Sequence, residues 1–448
     1  MTSSLVSCFF SRSVNLTKAM PYVFLLLLMI CGKANLLAQS DSMKLEEAKF
    51  GTYSPNAGFR LATTDKGVLN FRIYTYLRYL NQGGLEDYYV DSFGDTTAID
   101  ARQDIQINKV NIQFNGWLMD PRLRYLFYVW TNNTAQGQVS QVVVAGNLQY
   151  EFHKAFTLGG GINALPSSRT TEGNFPFWLT VDNRLAAEEF FRASYTTGIW
   201  ASGSFLEKFK YSVMLGNNLS QLGIDAGQLD FGMNTLSGMV AWYPTTGEYG
   251  LRDNLGDFEN HQKVATRIAA HFTRSDEDYQ GVPASEAFEN VTIRLSDGSP
   301  IFKANLFGPG IQITNATYQM LAVDAGFKYK GFSLEGEVYS RLVNNFTYSG
   351  VGSLPKNQFK DFGFQVQASG MVVDQTLQAY VTYAKINGEY GDPDDFRIGL
   401  NWFPWKNHVV RWNIEYINTT GIPVGGLSLP YPVGATGYIV HSNFQVNF

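Results

Sequence analysis

Cysteine is almost missing from this 448-residue chain: Cys8 and Cys31 are the only two, and none follows them. The rest of the chain can therefore hold neither a disulfide framework nor a thiolate metal site. Long apolar runs are scarce as well. The stretch 23–30, VFLLLLMI, is too short to span a bilayer as a helix, and no later segment approaches 18 consecutive apolar residues. Histidine is sparse, and His153, His261, His271, His408 and His441 show no short metal-ligand spacing. No GxSxG, Walker or dinucleotide motif stands in the right context. Asp392, Asp394 and Asp395 flank Pro393 in a turn that lacks the length and spacing of a calcium loop. The expectation is a protein that is not an enzyme and carries no cofactor or metal. Excess positive charge is missing too. Without Arg12, Lys18 and Lys33 of the first 38 residues, 31 basic residues face 39 acidic ones, a net charge of −8. A chain this acidic is a poor partner for nucleic acid.

What is present is leader-like at one end and strand-like at the other. Arg12 and Lys18 precede the apolar stretch 23–30, and Leu36, Leu37 and Ala38 before Gln39 form a cleavage-type sequence. Residues 1–38 are thus expected to be a cleaved signal peptide. Cys31 would invite lipidation, but Ile30 before it is larger than such processing accepts. The last twelve residues read GYIVHSNFQVNF: Tyr438, Val440, Phe444, Val446 and Phe448 share one parity, while His441, Asn443, Gln445 and Asn447 share the other. A period of two marks a strand with one apolar and one wet face. Aromatics make up 15% of the chain and glycines number 43, which with export and no helical span points to a β-barrel membrane protein.

Alternating segments recur at 68–80, 105–118, 122–131, 141–152, 155–162, 194–204, 208–217, 237–243, 262–273, 319–329, 332–344, 360–371, 375–386, 394–403, 408–419 and 437–448, about sixteen strands. The gaps alternate in length. Tight turns at 120–121, 153–154, 205–207, 330–331, 372–374 and 404–407 interleave with long connections at 163–193, 218–236, 274–318, 345–359 and 420–436. That sorting is the signature of short periplasmic turns and long external loops. Two gaps break the rule: 244–261 is long for a periplasmic turn and 387–393 is short for an external loop. Residues 39–66 form a polar periplasmic segment in which 59–63, with Asp65, Lys66 and Gly67, can make a small hairpin, and one barrel accounts for 67–448.

Parity also assigns the faces. In 68–80, Leu69, Phe71, Ile73, Leu77 and Tyr79 go to lipid, and Asn70, Arg72, Tyr74, Tyr76 and Arg78 to the lumen. A lipid-facing Arg or Lys near the midplane costs roughly 2–4 kcal/mol, so the basic residues are expected inside. Arg72, Arg78, Lys109, Arg124, Lys210, Lys263, Arg267, Lys328, Arg341, Arg397 and Arg411 take that parity, against Glu151, Asp324, Glu335, Glu337 and Glu415. The expected interior is a water-filled, net basic channel, in which fixed charges set selectivity. The same arginines can also serve only to pair with lumen carboxylates and stiffen the wall. Tyr125, Phe127, Trp402, Trp405, Trp412, Tyr416 and Tyr438 are candidates for interfacial girdles.

The connection 163–193 contains Asp182-Asn183-Arg184-Leu185-Ala186 and Phe190-Phe191-Arg192, runs on to Thr197-Gly198-Ile199-Trp200 and Gly203, and follows the glycine-rich 159–166. With 327–339 (FKYKGFSLEGEVY), Gly399-Leu400-Asn401-Trp402 and the terminal strand, it resembles the phosphate-selective porin O and P family over most of 60–448. The resemblance implies a sixteen-stranded barrel, a homotrimer, in the bacterial outer membrane, with a third loop folded inward. It makes Arg184 and Arg192, with Arg169 beside them, candidates for the constriction. It implies passive diffusion of small hydrophilic or anionic solutes, phosphate among them. The chain departs from the family's basic lining, because Glu172, Asp182, Glu188 and Glu189 share the loop and Glu335 and Glu337 interrupt the wall. Weak anion preference or general diffusion is therefore expected. The alternative is a plugged barrel acting as an adhesin or structural anchor through its external loops, 274–318 above all.

Overall fold

The computed structural model describes residues 50–54, 57–132, 141–220, 232–278, 293–425 and 429–448; the expected signal peptide, 1–38, lies outside the described residues. A period-two sequence forms strands, and here the strands are β1 (Tyr53–Ser54), β2 (Gly58–Thr64), β3 (Gly67–Leu85), β4 (Tyr88–Val90), β5 (Thr96–Ala98), β6 (Gln103–Leu118), β7 (Asp120–Asn132), β8 (Gln141–His153), β9 (Phe156–Ala164) and β10 (Tyr195–Phe205). They continue as β11 (Phe209–Gly216), β12 (Thr235–Trp242), β13 (Ala265–Asp278), β14 (Gln312–Tyr329), β15 (Phe332–Ser349), β16 (Gln358–Val373), β17 (Leu377–Asn387), β18 (Asp394–Trp402), β19 (Val410–Thr420) and β20 (Gly437–Asn447). β3 and β6–β20 are sixteen strands, each antiparallel to its sequence neighbour, and β20 returns to β3 to close the cylinder. Closure removes the free edges, so no barrel strand among the described residues leaves unpaired backbone groups in hydrocarbon.

The seam is made by both ends of the chain. β20 pairs with β3 from Gly437↔Leu85 to Asn447↔Tyr74, and Phe448 completes the ladder by exchanging backbone hydrogen bonds with Ile73 at 2.7 and 3.0 Å. Below that rung β2 takes over the same edge, pairing Phe59 with Phe71, and the Phe59 and Phe448 rings meet at 5.4 Å. The expected hairpin at 59–63 is this short strand. Its partner is β3, so it extends the sheet.

Parity separates the faces as expected. Leu77, Phe127, Leu148, Ile199, Ile268, Val338, Ile398, Ile414 and Phe444 form an exposed apolar belt, while Arg78, Arg267, Lys328, Arg397, Glu415 and Asn443 on the other parity are buried inside. Trp402, Trp405, Trp412, Tyr416 and Tyr438 are exposed on the outside. Tyr125 is half-buried and donates to the Val68 carbonyl. Lys263 is a correction: β13 starts at Ala265, and Lys263 sits exposed in the preceding connection.

Several strands are longer than their alternation suggests. β14 and β15 have 18 residues each, where about 9–11 cross a bilayer. The surplus, such as Asp276–Asp278 paired with Asn315–Thr317, stands above the apolar belt, where the outward face turns polar and no hydrophobic period marks the strand. A small hairpin, β4–β5, occupies the first external connection and has no signal in the alternation.

The interior differs from the open, water-filled channel expected. Residues 164–194 are almost wholly buried within the cylinder, so the third loop does fold inward. It carries a 3-10 turn (Arg169–Glu172) and a short helix, α1 (Ala186–Phe191), which packs against β15–β18. Gly363 of β16 is required there, because a Cβ would strike the Phe191 ring. From the periplasmic end the overlong connection 243–261 also turns inward, burying Tyr249, Asn254, Leu255, Asp257 and Phe258. From the external end Ile293, Leu295, Ile301, Phe302, Ile422, Val424 and Tyr431 cap the same half. The hydrophobic core of this protein thus lies inside its barrel.

Candidate functional site

The inserted segments fill one side of the lumen, and what remains is a cavity of about 230 Å³ against the other side. Its wall comes from inward residues of β6–β9 and β12: Gln113, Leu126, Tyr128, Trp130, Asn147, Ile162 and Met239. Its opposite side is the third loop, through Glu172, Phe175, Trp178, Asp182 and Arg184, and the periplasmic insertion, through Arg252. Arg72 borders this cavity and a second one of about 320 Å³ toward the periplasmic end, lined by Phe177, Leu251, Phe258, Lys406, His408 and Phe448.

The ten arginines expected to line or constrict the lumen occupy distinct places. Seven are buried in contacts that fasten the inserted segments. Arg78 donates to Asn443 Oδ1 at 2.9 Å and to the Val181 carbonyl of the third loop at 3.5 Å. Arg169 reaches Glu335 at 3.3 Å and the Asp253 carbonyl at 2.5 Å, joining third loop, wall and periplasmic insertion. Arg192 pairs with Glu189 at 2.5 Å, within the loop itself. Arg267 sits between Glu172 and Asp324. Arg341 pairs with Asp361 at 2.6 Å and lies 3.9 Å from the Phe190 ring centre. Arg397 pairs with Asp395 and donates to the Arg184 carbonyl at 2.9 Å. Arg411 donates to the Trp178 carbonyl and to Gln445, each at 2.5 Å. A buried guanidinium is tolerable only with such partners.

Three remain on or near the open side. Arg184 stacks 4.5 Å over Trp178 and donates to Thr170 Oγ1 at 2.6 Å, with Glu189 at 3.5 Å. Arg124, on the lumen face of β7, is 55% exposed and pairs with Glu151 at 3.1 Å. Arg72 is held by Asn447 Oδ1 at 2.9 and 3.1 Å and has no carboxylate partner among the described residues.

Arg252 was not in the expected set. It belongs to the periplasmic insertion, where its φ of +53° sets it in the left-handed region inside a 3-10 turn. Its guanidinium forms no hydrogen bond or ion pair among the described residues and is exposed to lumen space although protein surrounds it. That enclosure lowers its pKa from the ordinary arginine value, the Tyr195 ring opposing. Asp253, next in sequence, is the reverse case: burial alone would raise its carboxyl, but Lys210 at 2.7 Å and Arg267 hold it below its ordinary value. The sequence signal for Arg252 was the excess length of the connection that carries it. Lys109 adds a further cation, paired with Asp182 at 2.7 Å.

Among the described residues, two carboxylate–histidine groups have metal-like spacing: Glu172, His271 and Asp324, and Asp257, Glu259 and His261. The first encloses Arg267, whose positive charge already occupies the place a cation would take. The second is saturated by hydrogen bonds, Asp257 receiving His261 N and Gly331 N and Glu259 receiving Asn254 Nδ2 and Leu251 N.

A closed sixteen-stranded antiparallel barrel with an inward third loop is a porin-type architecture. The chain is similar in structure to the anion-selective porin from Comamonas acidovorans (11% identity, TM-score 0.51, covering 86% of this chain and 100% of that one). It is similar also to the outer membrane channel DcaP of Acinetobacter baumannii (9% identity, TM-score 0.52, covering 87% and 99%). A third likeness is to OmpF of Salmonella typhi in complex with daunomycin (12% identity, TM-score 0.50, covering 86% and 99%). At these identities the likeness is one of fold. No family model and no curated protein matches the sequence.

Proposed function

We propose that the protein is a passive diffusion channel of a bacterial outer membrane, with a narrow, off-centre path along β6–β12 and a preference for anions. The observation that carries this reading is the pair Arg72 and Arg252, two cations on one lumen cavity that pair with no carboxylate among the described residues. In a water-filled space walled by low dielectric, such fixed charges concentrate counter-ions. Glu172 and Asp182 border the same cavity, which keeps the preference weak. The likeness to porins supports the channel, and the motifs shared with the phosphate-selective family keep inorganic phosphate as a candidate solute. Trimeric assembly and export by a cleaved leader belong to the same proposal.

Purified protein in a planar bilayer across a tenfold KCl gradient tests it. Discrete conductance steps with a reversal potential on the chloride side are expected, moving toward zero in Arg72→Gln and Arg252→Gln. Cation selectivity in the wild type would contradict the charge argument. The second reading, a sealed barrel serving as an anchor or adhesin, is favoured by the depth of burial of the inserted segments and by the cap at 293–302. It predicts no conductance.

A further inference from the structure

The cavity that carries the proposed path has two unlike sides. Arg252 offers an exposed guanidinium and Arg72 a buried one at the cavity's edge, neither with a carboxylate partner among the described residues, whereas Leu126 and Ile162, with the largely buried Met239, offer apolar surface beside the Tyr128 ring. A hydrated inorganic anion gains from the cations alone. Against the apolar wall it loses water contacts and receives nothing in return. Phosphate, when doubly charged, loses still more hydration there. A solute with one carboxylate and an apolar ring or chain satisfies both sides, because the carboxylate takes a bidentate guanidinium contact and the body covers the wall. The volume, about 230 Å³, lies below that of sites for drug-sized ligands and suits a single small ring.

We propose that this chamber is a binding subsite for small organic monocarboxylates with an apolar body, held by Arg252 and Arg72 through the carboxylate and by Leu126, Ile162 and Met239 through the body. The inference rests on the channel reading and narrows its solute class. The carboxylate is passed from Arg252 toward Arg72, which borders the cavity on the periplasmic side as well.

Block of the chloride current in a planar bilayer by sodium benzoate, sodium acetate and sodium phosphate tests it. Benzoate is expected to half-block at a concentration about tenfold below that of acetate or phosphate, the factor that covering one small apolar face supplies. Arg252→Gln, which loses no side-chain hydrogen bond or ion pair among the described residues, should weaken block by benzoate and acetate alike. Leu126→Asn combined with Met239→Gln should shrink the benzoate-to-acetate ratio to about twofold. A conducting channel that benzoate and acetate block equally, or that phosphate blocks best, overturns the subsite and leaves the channel reading standing. A barrel with no conductance overturns both.

Discussion

Glu188 of the third loop and Glu337 of the wall converge on one amide: the Gln365 Nε2 lies 3.2 Å from an oxygen of each. Ser168, Thr170 and Tyr339 supply the neighbouring hydrogen bonds, and no cation forms an ion pair with either carboxylate among the described residues. Two like charges in one buried cage oppose each other. Glu335, one strand position away, is different, because it is the ion-pair partner of Arg169. Glu337→Gln should therefore leave the melting temperature unchanged or raise it. Glu335→Gln should lower stability by about 2–4 kcal/mol, since it strands a buried guanidinium. Thermal unfolding followed by circular dichroism distinguishes the two, and equal losses would contradict this reading of the cage.

Arg341 links the barrel wall to two parts of the inserted core. It pairs with Asp361 of β16, donates to the Arg294 carbonyl at 2.7 Å and sits on the Phe190 ring. Arg341→Ala is expected to cost about 3–5 kcal/mol, because Asp361 is left buried and unpaired. Loosening of the third loop should also make single-channel current noisier. Combining it with Asp361→Asn should recover a large part of the stability, a coupling that a double-mutant cycle measures.

His408, in the turn between β18 and β19, is packed by the Phe177, Phe258 and Phe403 rings at 4.9, 4.1 and 5.5 Å, so it joins the third loop to the periplasmic insertion. Burial, reinforced by Arg411 and Lys328, pushes its pKa down to about 3 from 6.5. The folded state therefore favours the neutral ring. Its contribution is complete above pH 6.5 and is lost as pH falls from 6.5 toward 3, by up to about 1.4 kcal/mol per unit. His261 runs the other way. Burial alone would lower its pKa, but Asp257 and Glu248 raise it above 6.5, and its contribution is lost as pH rises through that raised value. Melting curves from pH 4 to 9 should show both flanks. His408→Leu should remove much of the acid flank alone, and His261→Gln the basic flank.

Most of the barrel is legible in the sequence because alternation is imposed by lipid. Wherever one face of a strand meets hydrocarbon, as in Leu69, Phe71 and Ile73 of β3, a charge there is costly and the pattern stays clean. Above the belt that pressure ends, which is why 276–278 and 312–318 carried no strand signal. Parity also says which side chains point inward without saying what they meet. Arg267, Arg397 and Arg411 meet other parts of the chain rather than open water. The hint lay in acids such as Glu172, Glu188 and Glu189, clustered in a loop that faces an arginine-rich wall. Tyr128 and Trp130 share the parity of Arg124 and could have been placed on the lumen from the same pattern.

The proposed path is off-centre, open along β6–β12 and filled elsewhere. Because no cysteine follows Cys31, single cysteines can be introduced cleanly. Asn147→Cys lies on the cavity wall, whereas Thr382→Cys lies on an inward face of β17 that is 1% exposed. A charged thiol reagent added during bilayer recording should reduce the current of Asn147→Cys within minutes and leave that of Thr382→Cys unchanged. Equal block at both positions, or block at Thr382→Cys alone, would contradict the account.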